Sequence, residues 1–353
     1  MPPRIYLDHA ATTPMRPEAI AVVEEGMRLW ANPSSPHAEG RAAKAALNDA
    51  RARIKAALEW DGELIFTSGA SEGLAIALGR TDRRVLVSAI EHDAVFRAAP
   101  SAGMLPLGAR GQVSRDTLAD ALAAGSPPIV AIQHVNSETG VEQPVGALAA
   151  QVREAGGVLL SDCAQSAGKL PLPDAEILIV SAHKLGGPPG IGALLVRDLA
   201  MLEPTGGQEQ GYRTGTENLP AILGFAAALE AGADWVEGAT RLRAKLEDAI
   251  VSAGGDIVAP EARRSPTIGA YRMPGVTASA QLIQLDMAGI AVSAGSACSS
   301  GSMKPSHVLR AMGWEDTAAA EVIRVSFGWP TTEAEVDRFI EAWRRLAARR
   351  RAA

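Results

Sequence analysis

The chain has 353 residues, 47% hydrophobic and 21% charged, with a formal net charge of −6. This is the composition of a folded globular protein, and its acidic balance argues against a nucleic-acid surface. No run of about 18 apolar residues occurs, so no membrane span is expected. The start Met1-Pro2-Pro3-Arg4-Ile5-Tyr6 has no apolar leader core. Two cysteines, Cys163 and Cys298, are a poor basis for a structural disulfide, and a reducing, cytoplasmic location is expected. Arg344, Arg345 and Arg349 to Arg351 close a helical pattern, where cations complement the helix dipole.

In chain order, residues 1–14 read as an extended arm ending in Asp8-His9-Ala10-Ala11-Thr12-Thr13-Pro14. Helical spacing follows from Pro17 to Leu29, turn chemistry at Asn32-Pro33-Ser34-Ser35-Pro36-His37, and a long Ala/Arg/Lys helix at 38–59. Glu63 to Thr67 is a short strand that runs into Ser68-Gly69-Ala70-Ser71-Glu72-Gly73 and then a helix. Strand, small-residue turn and helix start make either an anion site lined by unpaired N–H groups or an ordinary capped helix.

Apolar strands at Val85 to Ile90, Ile129 to Val135, Val158 to Leu160, Ile177 to Val180 and Ile191 to Val196 then alternate with helical segments. The alternation predicts an α/β domain with a mostly parallel central sheet. Polar clusters stand just past the strand ends: Glu91-His92, Asn136-Ser137-Glu138, Asp162-Cys163-Ala164-Gln165 and Ser181-Ala182-His183-Lys184. Ligands of open α/β sheets bind at those ends. Helical pattern from Asn218 to Ala253 leads out of this domain into a smaller C-terminal α/β unit. Its strands are expected near Ile257-Val258, Ile290 to Val292 and Ile323 to Ser326, and its last helix starts at Thr332 with Glu335 completing a capping box. The expected division is 15–253 for the large domain and 1–14 with 254–353 for the small one. Residues 293–304, rich in serine and glycine, read as a mobile loop carrying Cys298.

Lys184 ends a buried strand and precedes the turn Leu185 to Gly190, a setting suited to a Schiff-base amine or to a solvated turn lysine. Pyridoxal phosphate (PLP) on that lysine would need a carboxylate at its ring nitrogen, for which Asp162 is placed. His92 suits the ring face, and Gln165 and Asn136 the phenolic oxygen. Ala70, Ser71, Ser181 and His183 can supply phosphate donors. Taken singly, each is equally well a strand-end cap, a turn histidine or a turn former, and spacing alone does not fix the cofactor.

The set Tyr6 to Pro14, Thr67 to Glu72, Glu91-His92, His134 to Gly140, Asp162 to Gln165, Ser181 to Lys184 and Gly211 to Thr216 resembles the cysteine desulfurases, PLP enzymes of the class V aminotransferase group. The stretch from Ser293 to Ser302 followed by Pro305 to Arg310 is similar to the longer-loop subgroup of iron-sulfur assembly and nitrogen fixation. The resemblance implies a fold type I, aminotransferase-like architecture and removal of sulfur from L-cysteine, with a persulfide on Cys298 that passes to an acceptor protein. It implies Lys184, Cys298 and His92 as catalytic residues. Ala70, Ser71, His92, Asn136, Asp162, Gln165, Ser181, His183, Lys184 and Thr216 would bind the cofactor, Thr216 by reaching the phosphate of a partner in a homodimer. Arg324 would clamp the substrate carboxylate, with Asn136 and Asn32 as neighbours. No metal, nucleic acid or membrane partner is implied. Other readings are a selenocysteine lyase or aminotransferase of the same group, or a non-catalytic binding module on the same fold. Gly73-Leu74-Ala75 and Pro189 depart from the group's usual residues.

Overall fold

The computed structural model describes residues 4–108, 110–295 and 306–352. Cys298, and the part of the expected loop from residue 296 onward, lie outside the described residues. Strand β1 (Ile5–Tyr6) leads through the arm to helices α1 (Pro17–Gly26) and α2 (Ala38–Ala57). Next come β2 (Glu63–Thr67), α3 (Ala70–Gly79), β3 (Val85–Ser88), α4 (Asp93–Ala98), β4 (Gly103–Leu105), α5 (Arg115–Ala123), β5 (Ile129–Ala131), α6 (Val145–Glu154), β6 (Val158–Asp162), β7 (Ile177–Ser181) and β8 (Gly192–Val196).

These strands form a seven-stranded sheet in the order β2-β8-β7-β6-β5-β3-β4, in which β8 runs antiparallel to both neighbours. The expected mostly parallel sheet is therefore present. β5 to β8 are buried along their whole length, which is why they read as continuous apolar runs: helices cover both faces. The pleat sends alternate residues to opposite sides. Val130, Leu159, Leu178 and Leu195 pack with Leu47, Leu148 and Phe225 on one side. Ile129, Leu160, Ile179 and Leu194 pack with Leu74, Ile76 and Val95 on the other. Gly73 belongs to this second layer. A Cβ there would lie 3.2 Å from Ile179 Cδ1, so the small residue lets α3 settle on β7.

After the sheet, α7 (Leu219–Glu230) and α8 (Trp235–Ser252) are separate helices, broken where Gly232 takes φ +77°. β9 (Asp256–Ile257), β10 (Ile268–Arg272), α9 (Ala278–Met287), β11 (Ile290–Ala291), α10 (His307–Ala311), α11 (Asp316–Ala319), β12 (Val322–Ser326) and α12 (Glu333–Ala352) complete the chain. β12, β10 and β9 form an antiparallel sheet, and β1 pairs in parallel with β11. A second core joins Ile5 and Leu7 of the arm to Leu246 and Ile250 of α8, Leu285, Ile323, Phe339 and Trp343. Thr332 and Glu335 make the expected capping box, with Thr332 N donating to Glu335 Oε2 at 2.8 Å and Glu335 N to Thr332 Oγ1 at 3.4 Å. Ser293 is tied by backbone bonds in both directions to Arg324, so the expected loop begins as an extension of β12's pairing. Among the described residues, no single helix is long and apolar enough to cross a membrane.

Candidate active site

Asp162 ends β6, Ser181 ends β7, and a single 3-10 turn, Ala182–Lys184, brings the lysine back over the sheet's carboxyl edge. A cavity of about 510 Å³ opens there, a size suited to a cofactor with a small substrate. Ala70, Ser71, His92, Asp162, Gln165, Ser181, His183, Lys184 and Arg324 all line it. Asn136, Thr216 and Asn32 are not in the lining. Asn136 is buried, and its Oδ1 accepts from Glu138 N, Thr139 N and Thr139 Oγ1 at 3.0, 2.8 and 3.0 Å, so the side chain holds its own turn. Asn32 is exposed and caps Ser34 N at 2.9 Å, and Thr216 is exposed on a loop.

The N-terminal arm closes one wall. Lys184 Nζ donates to the carbonyls of Ala10 and Ala11, each at 2.7 Å, and Gln165 Nε2 donates to Ala10 at 2.9 Å. Thr13 N bonds the His183 carbonyl at 2.8 Å, and Asp8 Oδ1 accepts from Arg324 Nη2 at 2.7 Å. The arm's motif thus holds the lysine, the glutamine and the arginine in place. Its sequence displayed the motif but not these contacts.

Opposite stands the turn after β2. Gly69 has φ 147° and ψ −177°, open to glycine alone, and no side chain caps α3. Gly192 on β8 lets it come close: a Cβ at 192 would sit 2.9 Å from Gly69 Cα. The first N–H groups of α3 face the cavity from a helix N-terminus, an arrangement that favours a phosphate. His183 stands beside this turn with its Nδ1 3.1 Å from Thr12 Oγ1. Burial, reinforced by Lys184 and Lys169, pushes its pKa down to about 4, so it is a neutral donor near pH 7. His92 caps α4, its Nδ1 accepting from Ala94 N at 3.1 Å, which places the proton of the neutral ring on Nε2.

The donor set fits PLP. Burial raises the Asp162 pKa, while the Ala164 N–H, His92 and Lys184 oppose it. A cation at the same place, such as a protonated pyridine nitrogen, favours the carboxylate. Among the described residues, Gln165 Oε1 and Arg324 Nε are buried at the cavity without a protein partner, as a group that awaits a ligand would be.

Two acids that line the cavity, and a buried lysine outside its lining, carried no assigned role in the sequence. Lys169 is buried, and burial with the Lys184 charge lowers its pKa to about 7. Glu138 accepts from Ser306 Oγ at 2.5 Å. Glu91 accepts from Ser88 Oγ at 2.6 Å and Gln133 N at 2.9 Å, has no partner at Oε2 among the described residues, and is raised by burial to about 8. The folded pKa exceeds the ordinary 4.5, so between these values the folded chain keeps a proton that the unfolded chain has lost. Stability from this group falls as pH rises through that window. In the cofactor-free protein, Glu91→Gln is expected to flatten the decline in urea midpoint between about pH 5 and pH 8; equal slopes in both proteins would refute the assignment. Cys163, fully buried and raised to about 12, is an inert packed thiol.

A seven-stranded α/β sheet with this lysine and aspartate at its carboxyl edge defines a PLP enzyme of fold type I. The aminotransferase class-V profile matches residues 5–339. A cysteine desulfurase of Cereibacter sphaeroides is 36% identical over 370 residues, covering 96% of this chain and 94% of its own. The solved NifS-like protein of Rickettsia africae superposes with a TM-score of 0.90 at 30% identity, over 98% of this chain and 99% of its own. SspA, solved in complex with cysteine, gives 0.80 at 28% identity, over 92% and 98%. The chain belongs to the cysteine desulfurases of the class-V aminotransferase family.

Proposed function

We propose that the protein removes sulfur from L-cysteine, leaving L-alanine and a persulfide on Cys298. The observation that carries this reading is the convergence of Lys184, Asp162 and Arg324 on one cavity at the sheet's carboxyl edge. Bound there, PLP supplies an electron sink for the substrate's α-carbon. Asp162 would hold the ring nitrogen's proton, and His92 would cover the ring face. Gln165 would orient the phenolic oxygen, with Asn136 behind it. Ala70, Ser71, Ser181 and His183 would hold the phosphate. Lys184 Nζ would be the amine that anchors the cofactor and then moves the α-proton of the substrate. Arg324 receives the substrate carboxylate, for which its buried Nε has no partner among the described residues. The Cys298 thiolate attacks the substrate sulfur: an S–S bond forms, the C–S bond breaks with its electron pair left on carbon, and a proton completes alanine.

Replacing Arg324 with methionine is expected to raise KM for cysteine by roughly 10²-fold with the visible cofactor band kept, because a charge-assisted carboxylate contact is lost. An unchanged KM would remove Arg324 from the substrate site. We also place the enzyme in the cytoplasm as a homodimer, with Thr216 of each subunit completing the other's phosphate site. Its persulfide would serve an acceptor protein of the kind used in iron-sulfur assembly. The test of function is product analysis: PLP-loaded protein given cysteine and a reducing thiol is expected to release alanine and sulfide in equal amounts. Pyruvate, or neither product, would overturn the reading.

A further inference from the structure

The loop from Gly206 to Thr216 holds an unusual conformation with considerable care. Glu209 and Gln210 both have positive φ, 50° and 58°, a strain of about 1–3 kcal/mol for each such residue. Glu209 is buried and fixes the loop's base: Arg51 donates to its two oxygens at 2.9 and 2.8 Å, and Phe66 N donates at 2.8 Å. The far end is fixed by Arg213. Its Nε lies 3.2 and 3.3 Å from the two oxygens of Glu72, and its Nη1 donates to Gly215 O, the carbonyl just before Thr216, at 3.3 Å.

Glu72 stands in the first turn of α3 and also accepts from Ser68 N, so it braces the turn proposed to hold the phosphate. Ser68 and Glu72 both line the cavity. A carboxylate beside a phosphate is repulsive unless a cation holds it. Arg213 supplies that cation, and it does so from the loop that carries Thr216. The pair is 18% and 29% exposed at its side chains. A partly exposed pair contributes about 0–1 kcal/mol to stability, so what distinguishes this one is its place, between the turn at the start of α3 and the loop that carries Thr216.

We infer that the Glu72–Arg213 ion pair is a positioning device that ties the phosphate-binding turn of one subunit to the loop reaching its partner, so that cofactor binding and subunit association strengthen each other. Burial acts against the Glu72 charge, but the Ser68 N–H and Arg213 more than offset it and lower its pKa, consistent with an anion held by design. The inference rests on the homodimer reading and on Thr216 as the residue handed across. By linkage, the factor by which PLP tightens the dimer equals the factor by which dimerisation tightens PLP binding.

The test is the dimer dissociation constant, measured by sedimentation with and without PLP, for the parent, Arg213→Met, Glu72→Gln, the double variant and Arg213→Lys. PLP is expected to tighten the parent dimer about tenfold or more. That ratio should fall close to one in Arg213→Met and in Glu72→Gln, be no lower in the double variant, and be partly kept in Arg213→Lys, while the cofactor-free dimer constants stay together. A ratio unchanged in Arg213→Met would overturn the inference. Thr216→Ala separates the two levels. If it weakens PLP binding while Arg213→Met leaves the ratio intact, the ion-pair inference alone fails. If Thr216→Ala leaves PLP binding untouched, or the PLP-loaded parent is a monomer, the homodimer reading fails and the inference with it.

Discussion

Lys184→Ala is expected to abolish the visible absorption band of the lysine-bound cofactor and to lower turnover by roughly 10⁴-fold or more. The proton-transfer role alone accounts for roughly 10² to 10⁴, and loss of the covalent anchor adds to it. The fold should survive. Lys184 is partly buried at the cavity rather than packed in the sheet, and the substitution removes its bonds to the carbonyls of Ala10 and Ala11 without opening the sheet. Far-UV circular dichroism and the urea midpoint check that point. The proposed phosphate donors Ser71, Ser181 and His183 are untouched, so added PLP should still bind without its lysine-bound spectrum. A variant that keeps both the band and the turnover would remove Lys184 from the chemistry.

Cys298→Ser is expected to leave that band in place and reduce sulfide release by about 10²-fold or more, since a hydroxyl is a far weaker sulfur acceptor than a thiolate. Cys163 cannot take over. It is fully buried on the strand-end turn, and its raised pKa leaves it protonated. Mass spectrometry after one turnover without added thiol should find an added sulfur on the peptide holding Cys298 in the parent and none in the variant. Sulfide release at the parent rate from Cys298→Ser would show that another group accepts the sulfur.

What could be read in the chain divides along local and non-local lines. Asp162, Ser181 and Lys184 were legible because buried strands of a covered sheet read as apolar runs, and a polar cluster after such a run marks its carboxyl end. The Thr332–Glu335 cap was legible because its partners are three residues apart. The wall built by the arm was not legible: Lys184 meets Ala10 across 174 positions and Arg324 meets Asp8 across 316, and no periodicity records such contacts. β4 carries no alternating pattern, since Gly103 and Met104 are exposed and Leu105 alone is buried. A continuous helical reading from 218 to 253 hid the break at Gly232. The boundary placed at 253 rests on sequence pattern, whereas α8 buries Leu246 and Ile250 in the second core. Asn136 has the side chain of a ligand and the bonds of a turn former, a distinction that only its neighbours Glu138 and Thr139 reveal.

The cavity is organised around Lys184, which lines it and is tied to the arm that closes one wall. Borohydride reduction of the PLP-loaded protein, followed by peptide mapping, tests this most directly. The expected result is a pyridoxyl group on the peptide containing Lys184. A pyridoxyl group on any other lysine, the buried Lys169 included, would contradict it.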